Sequence, residues 1–370
     1  MAGRGTIWLC VFLLLQVLGQ SNARSSAGLA DDFYSEIRDL LNQQLALQED
    51  GGESPRPREI VGWPQPIPGL GQVSGVSVRP DGQPVIFHRG PRVWDTGSFN
   101  KTEHFQGVED GPIAVDTVLT LDSVTGAVID SWGGGFFYLP HGVTVDHHGN
   151  TWLTDVAMHQ VFKFPPGAST PELVFGEKFR PGAGTRRLCK PTAVAVASSG
   201  EVFIADGYCN SRILKFNGRG HLLRILPQPP EFLSLQVPHG LALLEHLDVL
   251  CVADRENMRV TCPGAGLRGQ QGEQGPALTI QEPDLGRVFG VAARGSFVYA
   301  VNGPTSPQIP VRGFTLLPKS EAIVDHWEPA MGFSNPHSLA ICPNGSALYV
   351  AEISPNRVWK FELAARHTTN

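Results

Sequence analysis

From residue 73 onward, apolar residues recur in short runs with a period near two, broken by Gly, Pro, Asn and Asp. That is the spacing of half-buried strands. Four segments superpose: Pro140-His141-Gly142-Val143-Thr144-Val145 leading to Val161-Phe162-Lys163-Phe164; Pro191-Thr192-Ala193-Val194-Ala195-Val196 leading to Ile213-Leu214-Lys215-Phe216; Pro238-His239-Gly240-Leu241-Ala242-Leu243 leading to Arg259-Val260; and Pro336-His337-Ser338-Leu339-Ala340-Ile341 leading to Val358-Trp359-Lys360-Phe361. Between the two parts of each lies a further run, Thr151-Trp152-Leu153-Thr154-Asp155 in the first and Val202-Phe203-Ile204-Ala205-Asp206 in the second. Each segment reads as strand, turn, strand, short loop, strand.

The prolines stand at 140, 191, 238 and 336, so the intervals are 51, 47 and 98 residues, the last being twice 49. A repeat is therefore expected near 289, where Val288-Phe289-Gly290-Val291-Ala292-Ala293 precedes Phe297-Val298-Tyr299-Ala300-Val301. A sixth copy comes before all of these, with Val73-Ser74-Gly75-Val76-Ser77-Val78, the turn Asp81-Gly82, and Pro84-Val85-Ile86-Phe87-His88-Arg89. Six meanders of about 50 residues predict an all-β fold, a six-bladed β-propeller. A β-sandwich does not account for so regular a period. One helical pattern stands apart: Leu29, Phe33, Ile37, Leu40, Leu41, Leu45 and Leu47, followed by Gly51-Gly52-Glu53-Ser54-Pro55-Arg56-Pro57. Residues 24–58 are thus expected to form a short N-terminal helical appendage and linker, a prosegment or an outer helix, with the propeller domain spanning 59–366.

Composition narrows the setting. Residues 1–23 carry Arg4, an apolar run from Ile7 to Leu18 and Ser21-Asn22-Ala23, the pattern of a secretory signal peptide. A secreted or lumenal chain is expected, with no membrane span, and the sequons at Asn100 and Asn344 suit that route. The net charge of −6 offers no footprint for nucleic acid, while 42 Gly and 30 Pro favour a turn-rich β architecture.

Histidine follows the repeat proline at 141, 239 and 337, two repeats apart each time. Alternate blades of a six-bladed ring lie about 120° apart, and the innermost strand of each lines the axis. Three imidazoles at one register converge there as a tripod, which leaves a fourth position on a bound metal open. The intervening copies carry Ser74, Thr192 and Phe289 instead.

Several longer segments now become informative: Leu139-Pro140-His141-Gly142-Val143-Thr144-Val145-Asp146, Thr154-Asp155-Val156-Ala157-Met158-His159-Gln160-Val161-Phe162-Lys163-Phe164, Ala205-Asp206-Gly207-Tyr208-Cys209-Asn210-Ser211-Arg212 and Cys251-Val252-Ala253-Asp254-Arg255-Glu256-Asn257. They resemble the peptidyl-α-hydroxyglycine α-amidating lyase family over residues 60–363. The resemblance implies a lyase that cleaves peptidyl-α-hydroxyglycine to a peptide amide and glyoxylate in neuropeptide or hormone maturation. It further implies zinc on His141, His239 and His337, and a catalytic and substrate-binding group of Arg89, Tyr208 and Arg255. Tyr208 is the expected base, its pKa lowered by an arginine. Disulfides Cys189–Cys209 and Cys251–Cys262 follow from the family pattern, leaving Cys342 as a buried free thiol. No segment resembles the copper monooxygenase that often precedes the lyase, so a monomeric stand-alone chain fed by a separate monooxygenase is expected.

The family also holds calcium through two carbonyls, here of Val76 and Val143, and a carboxylate after the third histidine. That position is Ser338, which weakens the calcium expectation. Gly264-Ala265-Gly266-Leu267-Arg268-Gly269 matches a nucleotide-binding pattern, but no helix can follow it, and a connection between blades is the expected role. The competing readings are a calcium-dependent propeller lactonase or esterase and a non-catalytic peptide-binding propeller.

Overall fold

A computed structural model describes residues 56–227, 233–268 and 276–363. These residues form six antiparallel sheets of four strands each around a common axis. Blades 1 to 6 begin at the axis with the strands Val73–Val78, Pro140–Val145, Ala193–Val196, Pro238–Leu244, Val288–Arg294 and Pro336–Ile341. Each of these inner strands packs against the inner strands of both neighbouring blades, which closes the ring.

Second strands such as Pro84–His88 and Val202–Asp206 are buried at every position, because both faces of the sheet are covered by neighbouring blades. They therefore read as continuous apolar runs rather than alternations. Side chains from adjacent blades interlock in the gaps between sheets. Between blades 1 and 2, for example, Val85, Phe87 and Val118 meet Phe137, Leu139, Leu153 and Phe162. The fourth strands were not visible in the repeat pattern. Val128–Trp132 of blade 1 is exposed along nearly its whole length, so no apolar periodicity marks it.

The sixth blade takes its outer strand from the other end of the chain: Arg58–Glu59 pairs with Asn356–Glu362, Arg58 opposite Glu362 and Glu59 opposite Phe361. Arg58, assigned from the sequence to the helical appendage, belongs to the propeller sheet. The signal segment and residues 24–55 lie outside the described residues. A correction concerns the segment that starts at Gly264: residues 264–268 follow the third strand of blade 4, Arg259–Cys262, and precede the fourth, Leu278–Ile280, so the segment falls within one blade rather than between blades.

A buried polar group at the end of the second strand recurs around the ring. Asp155 accepts the N–H groups of Tyr138 and Leu139 at 2.7 and 2.9 Å, Asp206 that of Cys189 at 2.7 Å, Asp254 that of Gln236 at 2.7 Å, and Glu352 those of Ser334 and Asn335 at 2.7 and 2.8 Å. In blade 1 the ring of His88 does the same for Gly71 at 3.2 Å. Burying a carboxylate is costly unless such donors surround it. Here the donors belong to the loops that feed the inner strands, so the carboxylates fix where each inner strand starts.

Candidate metal centre and active site

In blades 2, 4 and 6 the ladder between first and second strands slips just after the repeat proline, between Pro140 and Val143, Pro238 and Leu241, and Pro336 and Ser338. A bulge of this kind re-aims the side chain it contains. The bulged residues include His141, His239 and His337, and the bulges turn their rings toward the axis. One ring nitrogen from each lies within 4.8 Å of the others, and all three residues are buried. The backbone beside them is tight: a Cβ on Gly142 would sit 2.4 Å from the carbonyl oxygen of Thr192.

The other ring nitrogen of each histidine is already engaged. His141 Nδ1 bonds the carbonyl of Thr192 at 2.8 Å, His239 Nδ1 that of Phe289 at 2.6 Å, and His337 Nδ1 that of Ser74 at 2.7 Å. These carbonyls come from blades 3, 5 and 1, at the same register as the histidines. An Nδ1–H held by a carbonyl fixes the tautomer and leaves the Nε2 lone pair facing the axis. Burial, with the neighbouring imidazoles and the arginines, keeps the rings neutral: His337 is pushed down to about 3, and His141 and His239 well below their usual value. Three neutral nitrogen donors, pre-oriented and converging in a buried place, fit a borderline metal ion of the zinc type. Sequence reasoning passed over Ser74, Thr192 and Phe289 as positions without a ligand. Their contribution is a carbonyl, which no side-chain identity announces.

Above the tripod stands Tyr208, two residues beyond the second strand of blade 3. Its hydroxyl is 3.1 Å from Nε2 of both His141 and His239. Arg255, the first residue after the second strand of blade 4, donates to that hydroxyl from Nη1 at 3.4 Å and lies over the rings of Tyr208 and Phe289 at 5.1 and 5.0 Å. Its charge is matched by Glu256, which accepts from Nε at 2.9 Å. Arg89, first after the second strand of blade 1, is 2 % exposed. It donates to the Pro140 carbonyl at 2.9 Å and to Gln72 Oε1 at 2.7 Å, and among the described residues no carboxylate pairs with it. Burial lowers its pKa to about 10. The expected downward shift of Tyr208 is not the net effect: burial is the largest influence and pushes the phenol up, while Arg255 and Arg89 pull the other way.

The NHL repeat model matches residues 188–216 and 235–262, within blades 3 and 4. The chain is 59 % identical over 314 residues to "Peptidyl-alpha-hydroxyglycine alpha-amidating lyase 2" of Drosophila melanogaster, covering 84 % of this chain and 76 % of that one. This chain belongs to the peptidyl-α-hydroxyglycine α-amidating lyase family. The lyase is also 40 % identical over 340 residues to "Peptidyl-glycine alpha-amidating monooxygenase B" of Xenopus laevis, a match covering 88 % of the lyase but 37 % of the Xenopus protein. Among solved structures, the gluconolactonase XC5397 of Xanthomonas campestris superposes with a TM-score of 0.54 at 13 % identity, over 80 % of the lyase and 88 % of that chain, a likeness of fold alone.

Two disulfides brace the lyase site, Cys189–Cys209 beside Tyr208 and Cys251–Cys262 between the second and third strands of blade 4. Cys342 is buried and free, accepting from the Ala347 amide at 2.9 Å and donating to Asn344 Oδ1 at 2.8 Å. Asn100 and Asn344 are both exposed. Below the tripod, an axial channel of about 340 Å³ holds the positions expected to bind calcium, Val76, Val143 and Ser338. They do not fit that ion. Ser338 Oγ accepts the Val76 N–H at 3.3 Å, a direct bond between blades 6 and 1, and brings no charge to the channel. The one carboxylate lining the channel, Glu245, is tied to the Ser198 amide at 2.8 Å. Calcium favours six or more oxygens with several charged, which this channel does not provide. Among the described residues no helix is long and apolar enough to cross a membrane.

Proposed function

We propose that this chain cleaves the C–N bond of peptidyl-α-hydroxyglycine, releasing a peptide amide and glyoxylate. The observation that carries this reading is the placement of Tyr208 directly over two Nε2 atoms of a buried, neutral three-histidine tripod. His141, His239 and His337 would hold zinc. Zinc in such a site supplies Lewis acidity toward a hydroxyl oxygen and positive charge beside the phenol.

The chain's own residues account for the remaining demands. In the substrate, the hydroxyl proton leaves to a base, its electron pair becomes the second C–O bond of glyoxylate, and the C–N pair passes to the amide nitrogen, which takes up a proton. Tyr208 is the base, and Arg255, in contact with its hydroxyl, favours the phenolate against the cost of burial. The carboxylate of the substrate pairs with Arg89, which forms no salt bridge among the described residues, whereas Arg255 is already balanced by Glu256. A planar guanidinium beside the site suits that role.

Oxidising conditions suit the two disulfides, and the leader sequence and sequons suit glycosylation at Asn100 and Asn344, so we place the enzyme in the secretory route or outside the cell. The proposed site is complete within one chain, so a monomer would suffice for activity. Its substrates would come from a separate copper monooxygenase. Purified protein incubated with a synthetic peptidyl-α-hydroxyglycine should release glyoxylate, lose this activity on chelation and regain it with zinc. Glyoxylate release that survives complete removal of metal would overturn the metal-dependent reading, and its absence under every metal would overturn the lyase reading.

A further inference from the structure

Blade 1 carries the longest connection between second and third strands among the described residues. Residues 89–117 join its second strand, Pro84–His88, to its third, Val118–Leu121, whereas in blade 2 only 156–159 separate Thr151–Asp155 from Gln160–Phe164. This connection reaches across the mouth to blade 3 and lays Trp94 against the active site. The indole is 4.8 Å from the ring of Tyr208, 6.1 Å from that of His141 and 5.3 Å from the guanidinium carbon of Arg89. Phe99 stands behind it at 5.5 Å.

The structure assigns to Trp94, backed by Phe99, the binding of the side chain that precedes the α-hydroxyglycine, with large apolar side chains preferred. This assignment rests on the lyase reading. Consecutive Cα atoms lie about 3.8 Å apart, so the residue next to a carbon reacting at Tyr208 and the tripod comes within side-chain reach of Trp94, whose ring packs on Tyr208 at 4.8 Å. The opposite wall is taken: Phe289 packs on His239 at 5.1 Å and lies beneath Arg255. Trp94 is half-buried, and its indole N–H has no acceptor among the described residues, so it can also donate to a substrate carbonyl.

The shelf is held in place from both ends. Trp94 N–H donates to Gln72 Oε1 at 3.3 Å, the same oxygen that receives Arg89. Farther along, Glu103 pairs with Lys190 of the segment before blade 3, and that ammonium lies 4.7 Å from the Phe99 ring. The Glu103 carboxylate thus balances the Lys190 charge behind the shelf. A shelf fixed before substrate arrives loses little entropy on binding.

The test compares kcat/KM for two peptidyl-α-hydroxyglycines that differ only in carrying Phe or Ala before the hydroxyglycine. Wild-type enzyme should favour Phe by about 10-fold or more, the scale of one buried aromatic contact. Trp94→Ala should bring the ratio close to one, Trp94→Phe should keep most of it, and Phe99→Ala should lower it partially. Because Trp94 touches Tyr208, its variants can slow both substrates, and the ratio cancels that shared loss. Calorimetric binding of the corresponding Phe and Ala peptide amides gives the same comparison without turnover. A wild-type ratio near one, or a ratio unchanged in Trp94→Ala, overturns the shelf while leaving the lyase reading intact. Failure of wild type to release glyoxylate from either peptide overturns the lyase reading instead, and the calorimetry then decides the shelf.

Discussion

Blades 2, 4 and 6 present imidazoles to the axis at the register where blades 1, 3 and 5 offer carbonyl oxygens to those imidazoles. The two sets do different work with the same backbone path. Even blades need one particular side chain, so they repeat histidine. Odd blades meet the histidines through a peptide group, so the residues that supply it can differ in type, here Ser74, Thr192 and Phe289. A column that looks irregular in aligned repeats can therefore be as much a part of a site as one that looks invariant.

Substitution can break this contrast. Alanine at His141, His239 or His337 should remove bound zinc and glyoxylate release together. Thr192→Val, by contrast, should keep both, costing only about 1 kcal/mol of stability for the hydrogen bond its hydroxyl makes to Pro238. Loss of metal from Thr192→Val, measured by elemental analysis, would contradict the division of labour. Next in size is Tyr208→Phe, from an odd blade, where side-chain chemistry does matter. We expect kcat to fall by about 10²-fold with zinc retained. Unchanged turnover would mean another group takes the proton.

A third test uses acid. His159 of blade 2 is buried, accepts the Lys190 N–H at 3.0 Å and has its pKa lowered to about 4, chiefly by burial. The unfolded chain takes up this proton near pH 6.5, the folded one only near 4. Stability from the neutral ring is thus full above 6.5 and is lost as pH falls toward 4, by up to about 3 kcal/mol. Denaturant melts of His159→Asn should be flatter than wild type across that window, and parallel curves would refute the sign. Smallest is the expected effect at Ser338, where blade 6 departs from the glycine of blades 2 and 4. Calcium should leave the melting temperature of the natural protein unchanged and raise it in Ser338→Asp. Tight calcium binding by the natural protein, unaltered by the substitution, would show other oxygens at work.

Much of this was readable in the chain. The Pro-His-x-apolar columns and the 98-residue spacing carry both the ring and the tripod, because inner and second strands are buried and so constrained in composition. The fourth strands left no such trace, since exposed residues such as Val128 and Ile129 of blade 1 obey no burial pattern. Asp155, Asp206, Asp254 and Glu352 were visible as a column ending the second strands, but their task, receiving the amides of the incoming loops, depends on chain folding back from 16 to 18 residues upstream. Trp94 escaped notice because so long a connection occurs once, and repeat logic is silent about what does not repeat.

The clasp of blade 6 bears on how the molecule comes into being. Its ladder is two residues long and pairs Arg58 with Glu362, so it cannot form until the third strand of blade 6 has been made. Nearest-neighbour blades can assemble earlier from local contacts, while this pairing must wait for the most distant one in the chain. While unpaired, Asn356–Glu362 is a raw sheet edge, a template for any strand of matching length, including Arg58–Glu59 of a second copy. Crowded, newly made chains thus face a choice between closing on themselves and exchanging clasps.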